Sequence, residues 1–97
     1  MRVEKTNEYR EWIDNLRELV GRARVLMRVE RLIHGNPGEH RNLTEGVSEL
    51  KINTGPGYRV YYSQRGDRLL LLLIGGSKSS QAKDIAKALQ LNRDHED

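Results

Sequence analysis

The stretch "GVSELKINTGPGYRVYY", residues 46–62, decides how this chain reads. From Ser48 to Asn53 it sets Leu50 and Ile52 to one side and Glu49, Lys51 and Asn53 to the other, the two-residue period of a half-buried strand. Thr54 to Gly57 interrupts that period with a Gly-Pro-Gly corner. Tyr58 to Ser63 resumes it, with Tyr58, Val60 and Tyr62 on one face and Arg59, Tyr61 and Ser63 on the other. Two strands about a tight corner form an antiparallel pair, and the second of them carries an arginine among tyrosines.

Outward from this pair, Arg65-Gly66-Asp67 is a hairpin signal, and Arg68 to Ile74 is apolar enough for a central strand covered on both faces. Upstream, Tyr9, Trp12, Ile13, Leu16, Leu19 and Val20 recur at three- and four-residue spacing, which predicts a helix capped by Thr6 or Asn7 and ended by Gly21. A second helix is expected from about Arg22 to His34, with Val25, Leu26, Val29, Leu32 and Ile33 as its buried stripe and Gly35-Asn36-Pro37-Gly38 as its stop. Residues 2–5 suit a short opening strand. After "GGSKSSQ", Ala82, Ile85, Ala86 and Leu89 form the stripe of a last helix that the serines can cap. The order predicts one α+β domain: an N-terminal strand and helix pair, an antiparallel sheet of about four strands, and a C-terminal helix.

A chain of 97 residues fits a single domain, and the lack of cysteine excludes disulfides and thiolate metal sites. The three histidines, His34, His40 and His95, lie too far apart for a ligand motif, so no metal or other cofactor is expected, and His95 reads as tail. The longest apolar run, Leu69 to Ile74, falls far short of the roughly 20 residues that span a bilayer, and "MRVEKTNEYR" lacks a secretion signal's apolar stretch. A soluble, cytoplasmic protein is the expectation.

Residues 1–50 balance nine basic against nine acidic side chains. From Lys51 to Lys83, six basic residues face only Asp67. Such an excess favours a polyanionic partner, although lysines and arginines on solvated strand faces serve solubility equally well. Arg59 and Tyr61 share one strand face, Lys51 can join them from the neighbouring strand, and Lys78 can reach their rim from the loop "GGSKSS". A guanidinium gives paired donors to a phosphate, an ammonium gives a mobile charge, and a tyrosine gives a stacking plane. That set suits RNA; the alternative is that Arg59 pairs with Glu49 across the strands while the tyrosines fill a core. Gly75-Gly76 matches no phosphate-loop spacing and reads as a tight strand-to-helix turn. Glu45, Glu49 and Asp84 read as solvated surface, with Asp84 favouring the dipole of the last helix.

The block "GVSELKINTGPGYRVYY", followed by "RGDRLLLLLIGGSKSSQAKDIAKA" and preceded by "YREWIDNL", resembles the RelE/ParE toxin superfamily, and within it the HigB-like branch of addiction module killer proteins. The resemblance runs from about Tyr9 to Leu91. It implies a RelE-like fold and the toxin of a bacterial type II module, neutralised by a cognate helix-turn-helix antitoxin that alone contacts operator DNA. RelE-like members cleave mRNA in the ribosome without a metal, by attack of the ribose 2′-hydroxyl on the adjacent phosphate. The resemblance makes Arg59, Lys78 and Lys51 the candidate catalytic residues, and Tyr61, Lys83, Gln81 and Arg68 the candidate RNA contacts. The tyrosine or histidine that such nucleases carry near the C-terminal helix has no counterpart in "QAKDIAKA", which leaves the general base unassigned. A ParE-like inhibitor of DNA gyrase, with much the same fold and no nuclease activity, is the alternative.

Overall fold

A computed structural model describes residues 1–96 as an α+β domain in which a five-stranded mixed sheet is covered on both faces. Along the chain come β1 (Arg2–Lys5), α1 (Asn7–Asp14), α2 (Leu19–Ile33), β2 (His40–Asn42), β3 (Val47–Ile52), β4 (Tyr58–Arg65) and β5 (Leu69–Ser77). One 3₁₀ turn (Lys78–Ser80) then leads into α3 (Gln81–Asp94). The sheet order is β1-β5-β4-β3-β2. The expected antiparallel sheet of about four strands is thus corrected to five: β1 runs parallel to β5, with Arg2 opposite Leu69 and Lys5 opposite Leu72, and the other neighbours are antiparallel. Strand β2 escaped sequence reading because all three of its residues are exposed, so it has no apolar alternation to detect.

The two helices of the predicted pair also divide differently. Thr6 caps α1, its Oγ1 accepting from the Tyr9 amide at 3.0 Å, but α1 stops at Asp14. Glu18 opens α2 instead, its carboxylate accepting from the amides of Val20 and Gly21, both at 2.9 Å. Leu19 and Val20, expected in the first helix's buried stripe, therefore stand exposed on the second. Gly21, expected as a helix stop, sits inside α2 because the Tyr58 ring occupies the space a Cβ would need.

Leu50, Ile52, Val60, Tyr62, Leu70 and Leu72 face α1 and α2, where Tyr9, Ile13, Val25, Val29 and Leu32 meet them. Val47, Tyr61, Leu69, Leu71 and Leu73 face the opposite way, against Ala88, Ile85 and Leu89 of α3. A bulge between these faces pairs Tyr61 with Ile74 and Tyr62 with Leu72, leaving Leu73 as the extra residue of β5. The bulge explains why Leu73 and Ile74, neighbours in sequence, both belong to the α3-side cluster.

Gly75 and Gly76 lie within β5 rather than in the strand-to-helix turn expected of them. Their lack of a side chain serves contact: a Cβ on Gly75 would overlap Trp12, and one on Gly76 would overlap Asp84. Arg28 ties the segment before β2 to the sheet by donating to the carbonyls of Lys51 at 2.7 Å and of Pro37 and Glu39 at 2.8 Å. At the far end of α3, Arg93 holds the Glu45 carboxylate with two bonds of 2.9 and 3.0 Å. His95 is no loose tail, since its ring lies 3.8 Å from Glu4 and its carbonyl accepts from Arg65. No helix among the described residues is long and apolar enough to cross a membrane.

Candidate functional site

Two cross-strand rows on the α3 side of the sheet bring the polar residues together. In one, Lys51 stands opposite Arg59, and Arg59 opposite Gly76. In the other, Arg41 stands opposite Glu49, Glu49 opposite Tyr61, and Tyr61 opposite Ile74. Directly paired residues on neighbouring strands point to the same face, so each row is one line of adjacent side chains.

Helix α3 begins above the junction of the rows. The Gln81 amide donates to Glu49 Oε2 at 2.8 Å, and Ser80 Oγ donates to Asp84 Oδ2 at 2.5 Å. The serine expected to cap α3 thus spends its hydroxyl on a side chain, and no side-chain hydrogen bond caps the helix. Asp84, expected at the surface, is buried against Gly76. Glu49 is wholly buried and takes its ion pair from Arg41, at 3.3 Å, rather than from Arg59. Sequence reading missed both carboxylates because it took the polar side of β3 for a solvated one. The overlooked signal was Val47 and Tyr61 on that side, whose burial requires the stripe of the last helix to cover them.

The Gly-Pro-Gly corner sets the geometry of the cations. Gly55 and Gly57 adopt φ of 55° and 78°, in the left-handed region that favours glycine. The Gly57 carbonyl accepts from the Lys78 amide at 2.7 Å, which brings the 3₁₀ turn alongside β4. A Cβ built on Gly57 would lie 3.5 Å from both Arg59 Nη1 and Lys78 Cβ, so the glycine forms the floor between the two basic residues. On the other face Tyr58 anchors the corner, its ring edge-on to Trp12 with centroids 6.4 Å apart.

Arg59 itself is only 6% exposed. Its Nη1 donates to the Tyr58 carbonyl at 3.0 Å, and its Nε is buried without a partner. Among the described residues no carboxylate comes within 4.0 Å of it. A cation taken from water without a counter-ion is costly to the fold, and this one has partly exposed Lys51 across the strand and exposed Lys78 on its rim. Four basic residues, Arg41, Lys51, Arg59 and Lys78, thus crowd one end of the sheet; Asp84 accepts from Ser80, while Glu49 accepts from Gln81 on Oε2 and keeps Oε1, beside Arg41, buried without a hydrogen bond. The vacant donors fit an anion.

The remaining predicted contacts separate. Tyr61 lies on the expected face but is fully buried beneath α3, so its ring offers no stacking plane to a base. Burial first, and the Glu49 and Asp84 charges after it, hold its hydroxyl above the usual tyrosine pKa, against the smaller pull of Arg59. Gln81 joins the site but turns down onto Glu49. Lys83 is exposed in the first turn of α3. Arg68 is not part of the assembly: it sits in the β4–β5 hairpin, at the opposite end of a strand roughly 25 Å long. Arg41 was overlooked along with β2.

No family model matches the chain, and no solved structure matches it. Over 88 residues, 91% of this chain and 89% of the relative, it is 38% identical to a curated protein of Haemophilus influenzae described as an uncharacterized protein.

Proposed function

We propose, from the premise that this chain belongs to the same family as the Haemophilus influenzae protein, that it is the toxin of a bacterial type II toxin-antitoxin module and cleaves mRNA on the ribosome. The observation that carries this reading is the buried guanidinium of Arg59, without a direct ion pair among the described residues and flanked by Lys51 and Lys78. Its resemblance to RelE-like proteins, on the motifs around Arg59 and Lys78, supplies the reaction class.

In this reading the scissile phosphate enters beside Gly57, which adds no side chain of its own between Arg59 and Lys78. The 2′-oxygen bonds to phosphorus as the bond from phosphorus to the 5′-oxygen breaks. The 2′-proton leaves, the 5′-oxygen gains a proton, and the products are a 2′,3′-cyclic phosphate and a 5′-hydroxyl. Arg59 donates to the phosphate oxygens, whose charge grows in the pentacovalent transition state, and its fixed position means little reorganisation at that moment. Lys51 and Lys78 hold the neighbouring backbone charges and orient the attack. Glu49 is a positioning residue: enclosed by Arg41 and Gln81, it keeps β2 and the start of α3 in place around the cation. A helix-turn-helix antitoxin neutralises the protein in the cytoplasm, and operator DNA is reached only through that antitoxin.

Primer extension on cellular mRNA after induced expression tests the reading. Translation-dependent cleavage by the wild type, lost in Arg59→Met with the fold retained, is expected. Inhibition of gyrase supercoiling without any mRNA cleavage would overturn the nuclease in favour of a ParE-like activity.

A further inference from the structure

Among the described residues five large apolar side chains are exposed, and four of them lie on α2: Leu19 (78%), Val20 (60%), Met27 (45%) and Leu26 (42%). With about 3.6 residues per turn, Leu19, Ala23, Leu26 and Met27 fall on one stripe, and Val20 broadens it. The opposite side of the helix is already occupied, since Val25, Val29 and Leu32 pack on the sheet. An amphipathic helix needs one apolar face; this one has two. A contiguous apolar patch on so small a protein marks a contact surface.

Charge selects the occupant. Helix α2 carries four arginines and a single glutamate, Glu30, whose carboxylate already faces His34 at 3.5 Å. Arg28 is committed to backbone carbonyls and Arg22 donates to the Ile13 carbonyl, but Arg24 and Arg31 flank the stripe exposed, with no carboxylate within 4.0 Å among the described residues. They stand seven residues apart, about two turns, on the same side of the stripe. A second copy of the chain would set arginine against arginine. A nucleic acid would leave Leu19 and Val20 unused, and a lipid surface, which draws basic amphipathic helices, would find no tryptophan or phenylalanine on the stripe and no lysine on its flanks. We propose that the outer face of α2 docks an acidic amphipathic helix of a partner protein, its leucine-type side chains on the stripe and its carboxylates on Arg24 and Arg31. Because α2 covers the face of the sheet opposite Arg59, docking leaves the Arg59 site open, and the inference does not depend on what that site does.

The probe is a labelled synthetic helix of about five turns, with leucines at three- and four-residue spacing flanked by glutamates, and a matched peptide with lysines for the glutamates. Fluorescence anisotropy with the full chain is expected to show binding of the glutamate peptide, with the lysine peptide at least about tenfold weaker. Leu19→Ser/Met27→Ser should weaken binding by a similar factor while melting as the wild type does, and Arg24→Glu/Arg31→Glu should reverse the peptide preference. No binding of the glutamate peptide, equal binding of both peptides, or binding indifferent to all four substitutions would overturn the proposal. So would sedimentation showing a dimer that Leu19→Ser dissolves, or capture by anionic phosphatidylglycerol vesicles in place of the peptide.

Discussion

Replacing Arg59 with methionine should make the protein more stable while abolishing its activity. The arginine's Nε is a buried donor without a partner, and leaving such a group unsatisfied costs about 1–3 kcal/mol. What the guanidinium returns is one hydrogen bond, to the Tyr58 carbonyl, worth about 1 kcal/mol. Methionine fills the same unbranched volume without the charge. Glu49 keeps its ion pair with Arg41 in the variant, although both it and Asp84 lose a nearby positive field, which sets the sum toward the low end. The net is a gain of about 1 kcal/mol, a rise of roughly 4–8 °C in Tm for a domain of this size. Urea unfolding followed by circular dichroism, beside Arg59→Lys as the charge-retaining control, measures it. Should Arg59→Met instead lose about 2 kcal/mol or more, the range of core lesions, the guanidinium would be a clamp for the fold and the case for an anion site would fall.

Three further outcomes follow from the same geometry. Gly76→Ala forces a methyl group into the buried Asp84 carboxylate and should cost about 1–3 kcal/mol in urea unfolding, whereas Gly57→Ala, with room for the methyl but φ of 78°, should cost about 1 kcal/mol or slightly more through backbone strain alone. Arg28→Ala removes three bonds to backbone carbonyls and should destabilise by about 1.5–3 kcal/mol, with hydrogen exchange rising first at the Lys51 amide, which donates to the Glu39 carbonyl; unchanged protection there would show that the bonds are dispensable. Burial pushes Tyr9 up to about 12, and Tyr58, Tyr61 and Tyr62 are also raised. The fold therefore favours the neutral phenols: their contribution is intact below pH 10, the unfolded value, and drains away as pH climbs toward 12. Tyrosinate absorbance should appear together with loss of the circular dichroism signal, and ionisation near pH 10 in a protein that stays folded would contradict it.

Much of this molecule was legible in its residues, and the misreadings share one cause. The strands β3 and β4 follow from their alternation, and β5 from its leucines, because period and apolar character are local properties. What escaped depends on a neighbour distant in sequence. Gly21, Gly75 and Gly76 look like breaks until Tyr58, Trp12 and Asp84 are brought against them. Glu49 looks solvated until α3 closes over the polar side of β3. The pairing of Lys51 with Arg59 was open to inference from the corner, whereas the placement of Arg68 at the other end of β4 needed only strand length. Glu18 was missed as the start of α2 because glutamate is an uncommon cap.

The parallel pairing of β1 with β5 has a consequence for synthesis. Thr6 is fastened to Leu73, 67 residues further along, so β1 must wait for β5. Loop closure over so long a span contributes its entropy cost before any contact repays it. A chain halted after β4 holds neither the seam for its own beginning nor the helix that shuts over Tyr61. Synthesis of β5 and α3 is thereby the event that admits this domain to its native form.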